Sequence, residues 1–191
     1  MRHSISIRVL SLVASLLIIT AYSTDSACGA EKISQGSTLP GFRLDATDDP
    51  AAKEYLGLKN LKSFVISQIS AKFIIIEFFS LYCPICQKQA PMANKIHKII
   101  QQDPELSKNI KIIGIGAGNN LREIDTYKTT LRISFPLFTD TDFTVYKKIG
   151  EPRTPFTILA TTKGKVLLTH SGVVEDIDEF IGKVKKIHGQ H

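Results

Sequence analysis

Apolar positions in this chain fall into two periods, short continuous runs and helix-spaced stripes, and their order predicts the architecture. Residues 72–79, inside the segment "FIIIEFFSLYCPIC" (73–86), form an apolar run of β-branched and aromatic side chains broken by one carboxylate. Such a run is the mark of a central strand buried on both faces. From Pro84 onward Ile85, Met92, Ile96, Ile99 and Ile100 recur at helical spacing, with Gln87, Lys88, Asn94, Lys95 and Lys98 mostly on the other side, so a helix starts at the cysteines. "IKIIGIG" (110–116) predicts a second buried strand, followed by a helix from Leu121 to about Thr130. "FPLF" predicts a short strand and Asp142 to Ile149 a short helix. "PFTILAT" and "KVLLTHSG" flank the turn Lys163-Gly164-Lys165 as a hairpin, and "EDIDEFIGKVKKI" closes the chain as an amphipathic helix. Upstream, "GFRLDA" and "SFVIS" predict the strands of an N-terminal hairpin joined by a loop around Asp48 to Pro50. The sum is an α/β chain: a central mixed β-sheet flanked by helices, with an N-terminal β-hairpin extension.

The first thirty residues have a different pattern. Arg2 and Arg8 precede an apolar stretch from Val9 to Ile19, and small residues follow. This is the layout of a secretory leader, with cleavage between Ser23 and Ala30. The stretch is short for a transmembrane helix. Cys28 raises a second route to a membrane, lipidation of a cysteine that becomes the mature N-terminus, although Asp25 stands where such signals want an aliphatic residue. The expected division is a signal peptide over 1–30 and a folded domain over 31–191.

Composition narrows the function classes. The chain has 191 residues, 43% hydrophobic and 22% charged, with a formal charge of +6. That is the balance of a globular protein with one sizeable core. Its lysines are spread from Lys32 to Lys186 among acidic residues, a solvated surface and not a nucleic-acid footprint.

The chemistry concentrates at Cys83 and Cys86. A structural zinc site needs a second pair of ligands. His97, His170, His188 and His191 are scattered, and none stands beside the cysteines in sequence. Redox chemistry fits the strand-to-helix placement better. Cys83 falls at a helix N-terminus, where free N–H groups and the helix dipole stabilise a thiolate, which marks it as the nucleophile. Cys86, one turn later, is placed to resolve the mixed disulfide. Pro84 suits the first helical turn because its missing N–H needs no partner there. Glu77, six residues before Cys83 on the buried strand, is expected beneath the helix start. Burial there raises its pKa and suits it to exchange a proton with Cys86.

These residues carry a resemblance. "EFFSLYCPIC" resembles the active-site strand and turn of thioredoxins, with an acidic residue six positions before the first cysteine and an aromatic one directly before it. Pro91 matches the superfamily's proline within the cysteine helix. "RTPFTILATTKGKV" looks like the segment carrying a cis-proline and the following hairpin, with Thr154 and Pro155 facing substrate, and Gly172 matches a glycine after the last strand. Covering roughly residues 38–188, the likeness is to the TlpA and ResA-like branch of the thioredoxin-like superfamily. It departs from that branch in having Tyr82 for the usual Trp and Glu77 where many members carry Asn.

The resemblance implies a thioredoxin-like fold and an extracytoplasmic thiol-disulfide oxidoreductase, exported to the bacterial periplasm or the outer face of the cytoplasmic membrane. It implies a redox-active Cys83–Cys86 disulfide as the only redox group, with no metal and no other cofactor. Tyr82, Pro84, Ile85, Thr154 and Pro155 would contact substrate. Partners would be protein dithiols and disulfides, c-type cytochrome precursors among them, and an upstream redox protein. A monomer is expected, attached to a membrane only through an uncleaved leader or a lipidated Cys28. Two other readings stand beside it. One is a thioredoxin-like copper-binding assembly protein using both thiolates and His170. The other is a non-catalytic adaptor, disfavoured because a disulfide closing one helical turn constrains little of the unfolded chain. A peroxiredoxin-type site lacks its proline, since Ile76 stands at that position.

Overall fold

The computed structural model describes residues 32–58 and 61–190; the expected leader, its cleavage region and Cys28 lie outside the described residues. No helix among the described residues is long and apolar enough to cross a membrane.

The N-terminal extension contains β1 (Leu44–Asp45), α1 (Pro50–Leu56) and β2 (Ser63–Phe64). β1 and β2 pair antiparallel, Leu44 opposite Phe64, as the hairpin expectation requires. The connection is not the bare loop expected around Asp48 to Pro50. Asp49 accepts the Ala51 N–H and Pro50 sits in the first turn, so the residues that read as a turn cap and open α1.

The rest runs β3 (Phe73–Phe79), α2 (Pro84–Gln102), α3 (Pro104–Asn109), β4 (Ile110–Ala117), α4 (Leu121–Leu131), β5 (Leu137–Asp140), α5 (Thr144–Lys148), β6 (Phe156–Thr161), β7 (Val166–Ser171) and α6 (Ile177–Gly189). The main sheet among the described residues is five-stranded, in the order β5-β4-β3-β6-β7. β3 is central, parallel to β4 and antiparallel to β6, which makes the sheet mixed as expected. α2 continues through Pro91. α3 was not legible as a separate helix, because Asp103 ends α2 and caps α3 in one step.

The strand period divides the core. Phe73, Ile75 and Phe79 pack with Cys86, Ala90, Ala93, Ile96 and Ile100 of α2 and with Phe180 and Val184 of α6. The intervening Ile74, Ile76 and Phe78 pack against Leu44, Leu56 and Phe64 of the extension and Val145 beside them. Glu77, by alternation, belongs to the α2 face.

Candidate active site

The strand-to-helix turn forms because β3 ends at Phe79 and Cys83 caps the helix that follows. The Cys86 N–H donates to the Cys83 sulfur at 3.2 Å, and Pro84 occupies the first turn. The turn is pinned from β4's side, where buried Asn119 accepts the Leu81 N–H through Oδ1 at 2.9 Å. Tyr82 is 72% exposed, and its hydroxyl donates to Glu123 near the start of α4. Glu123 also closes the capping box of that helix with Asn120.

The two sulfurs have different surroundings. Cys83 is half-buried, with its sulfur 3.5 Å from the Thr154 carbonyl oxygen. Burial pushes its thiol up, but hydrogen bonds from Cys86, the Thr154 side chain and the Ile85 backbone outweigh this and hold it below the usual thiol value. Cys86 is fully buried, and burial, followed by its neighbour Cys83, pushes its thiol up to about 12. Both are free thiols. The pair thus has one accessible, acidified sulfur and one enclosed, protonated sulfur.

The Thr154-Pro155 peptide is cis, as expected, and brings the Thr154 carbonyl to Cys83. The Gly172 N–H donates to the Pro155 carbonyl at 2.9 Å from a backbone at φ +90, a region open to glycine. Ile85 is 51% exposed and therefore no part of the buried stripe with which its spacing grouped it. It extends the surface beside exposed Pro84 and Tyr82. Tyr82, Pro84 and Ile85 are exposed next to Cys83 in the chain, the Thr154 carbonyl meets its sulfur, and Pro155 is buried.

Glu77 is buried on the α2 face. Thr157, its cross-strand partner on β6, donates its hydroxyl to Oε2 at 2.7 Å. Burial drives the carboxyl up to about 7, against smaller opposing effects of Thr157 and Gln89. Tyr127 on α4 reports its neighbourhood. Its hydroxyl donates to the Cys86 carbonyl at 2.9 Å and its ring stacks on Phe79. Burial first, then the charges of Cys86, Glu77 and Cys83, push its phenol up.

Thr157, Gln89, Tyr127 and Asn119 escape sequence reasoning. Strand register alone reveals Thr157, and Gln89 reads as a polar position on an amphipathic helix. His170 lies on β7 opposite Thr157, its Nε2 donating to the Val173 carbonyl at 3.0 Å. Among the described residues no group of three His, Cys, Asp or Glu side chains is arranged to hold a metal.

The Redoxin family model matches residues 34–186. The chain belongs to the Redoxin family. It is 24% identical over 179 residues to the thiol-disulfide oxidoreductase ResA of Bacillus subtilis, covering 93% of this chain and 90% of that relative. It is 23% identical over 183 residues to ResA of Geobacillus thermodenitrificans, covering 93% and 95%. A crystal structure of a candidate thiol:disulfide interchange protein DsbE from Chlorobium tepidum superposes with a TM-score of 0.64 at 15% identity, covering 82% of this chain and 99% of that one. The structural likeness shows a shared, thioredoxin-like fold. With the family and the curated relatives, this Redoxin chain stands among the thiol-disulfide oxidoreductases.

Proposed function

We propose that this chain is an extracytoplasmic dithiol-disulfide oxidoreductase in which Cys83 attacks and Cys86 resolves. One observation carries the reading: the Cys83 sulfur is accessible at the start of α2 and held below its usual pKa, while Cys86, one turn on, is enclosed and kept protonated. The Cys83 thiolate attacks one sulfur of a substrate disulfide, a Cys83–substrate bond forms, and the other substrate sulfur leaves as a thiolate that takes up a proton. Cys86 then gives its proton to the Glu77 carboxylate and attacks Cys83. The Cys83–Cys86 disulfide forms as the Cys83–substrate bond breaks, the substrate sulfur that Cys83 had captured leaves as a thiolate and takes up a proton, and two electrons have passed from the dithiol to the substrate. The reverse sequence oxidises a substrate dithiol.

Glu77 serves as the base because a carboxyl near 7 is ionised often enough at neutral pH to accept a proton from a thiol near 12. The exposed set Tyr82, Pro84 and Ile85, with the Thr154 carbonyl opposite, forms the surface for an extended substrate segment. The leader-like N-terminus supports export, and disulfides of exported proteins, c-type cytochrome precursors among them, are the proposed substrates.

The test is covalent capture. In a Cys86→Ser variant the resolving thiol is missing, so the Cys83 mixed disulfide persists and its partner is identified by mass from the exported fraction. Capture of an exported cysteine protein through Cys83 is the expected result, and a cytochrome precursor supports the narrower substrate assignment. A chain that captures nothing, where a known exported oxidoreductase captures its substrates, is not this enzyme.

A further inference from the structure

Two buried polar atoms beside the cysteines have no hydrogen-bond partner, and they are complementary. Glu77 Oε1 is an acceptor and Gln89 Nε2 a donor. Gln89 is 1% exposed and stands on α2 three residues after Cys86. Its orientation is fixed from outside the helix: the Val174 N–H, in the connection from β7 to α6, donates to Oε1 at 2.8 Å. A flip of the amide would face one N–H donor with another, so Nε2 is the end free to serve a second group. A buried amide donor and a buried carboxylate oxygen are each costly when unpaired, and satisfying each other removes both costs.

We infer that Gln89 is the positioning residue of the buried base: held at one end by Val174, its amide presents N–H donors to the Glu77 carboxylate and ties it to the helix that carries Cys86. The inference rests on the reading of Glu77 as the base for Cys86. Before resolution Glu77 is a carboxylate and after it a carboxylic acid, so a donor aimed at Oε1 favours the state that accepts the proton. Thr157 performs the same service at Oε2 from β6. The two donors approach from the sheet and the helix, and they set how much of the base is ionised when Cys86 must lose its proton.

The titratable groups sharing this space are Cys83 and Cys86 at the start of α2 and Tyr127 on α4. His170 is the further one, on β7 in the same cross-strand row as Glu77 and Thr157. Its ring is directed to the Val173 carbonyl and the edge of Phe180. Gly114, opposite Glu77 on β4, brings no side chain. The Gln89 amide is therefore the group on α2 that can offer Glu77 a donor without itself titrating.

The test compares Gln89→Met, which keeps length and burial but loses the donor, with the native chain in two measurements. The first follows the Glu77 carboxyl carbon by NMR across pH and needs no turnover. The second follows resolution of a preformed Cys83 mixed disulfide against pH. Loss of one donor to a buried carboxylate moves both inflections up by about one unit, so resolution below the inflection slows by about tenfold. Should Gln89→Met fold poorly, Gln89→Leu removes the same donor without adding a titratable group and moves the inflection in the same direction. An inflection left in place in a folded variant overturns the inference. Glu77→Gln in the same assay separates the two readings. If it leaves the pH profile of resolution intact, the base reading falls. If it abolishes the inflection while Gln89→Met does not shift it, only the role of Gln89 falls.

Discussion

Cys83 and Cys86 are the same side chain one helical turn apart, so their different chemistry must come from what surrounds each sulfur. Cys83 accepts an N–H at the helix start, while Cys86 is enclosed by the α2-face core. With Cys83 held below the usual thiol value and Cys86 pushed up to about 12, far more of Cys83 than of Cys86 is thiolate at neutral pH. Nucleophilicity falls as a thiol becomes more acidic, but by less than the thiolate fraction rises, so the balance stays with Cys83 before access is counted. Alkylation of the reduced protein at pH 7, read by peptide mass, should therefore label Cys83 well before Cys86, and equal rates would contradict the assignment. This asymmetry was legible in the sequence, because a cysteine followed by proline at the end of an apolar run is by itself a helix-start thiol. The partners of Glu77 were not. Its burial follows from the apolar residues around it, but Thr157 and Gln89 lie 80 and 12 positions away and meet it only through strand register and helix face.

At the scale of elements, the catalytic turn depends on the loop that follows β4. Asn119 is fully buried, joins Leu81 to the α4 start and, with Glu123, forms one polar cluster under exposed Tyr82. Replacing it with alanine leaves the part-buried Leu81 N–H without its acceptor, which costs about 1–3 kcal/mol. The Asn119→Ala variant should lose that much in urea unfolding and show faster amide exchange at Leu81, while exchange in β6 and β7 stays as in the parent. Uniform acceleration across the sheet would mean that the loop supports the whole core and not the turn. The order of long elements was readable because their apolar runs are continuous or helix-spaced over many residues. α1 and α3 were not, since each opens at an Asp-Pro pair that reads as a turn and carries only one or two buried positions after it. In α1 only Ala52 and Leu56 are buried, and in α3 only Leu106.

Across the whole molecule, two buried titratable groups on different elements oppose each other in pH. Glu77 has a folded pKa raised from 4.5 to about 7, so between those values the folded state binds more protons than the unfolded one, and stability falls as pH rises. His97 on α2 has its folded pKa lowered from 6.5 to about 4, first by burial and then by Lys111. Its ring meets the Ser134 hydroxyl through Nδ1 at 2.8 Å and packs on the edges of Tyr55 and Phe135, with Nε2 buried and unpartnered. In its window the unfolded state binds the extra proton, so stability rises with pH. Each shift amounts to about 3 kcal/mol, and the windows overlap between 4.5 and 6.5, so the native chain should show a nearly flat stability there. Glu77→Gln removes one slope and exposes the other. The variant should match the native chain near pH 4.5 and become more stable than it by about 3 kcal/mol by pH 7.5, in urea unfolding followed by far-ultraviolet circular dichroism. A constant offset between the two proteins across that range would mean that Glu77 does not change its protonation on folding, and the carboxyl would lose the property that suits it to serve Cys86.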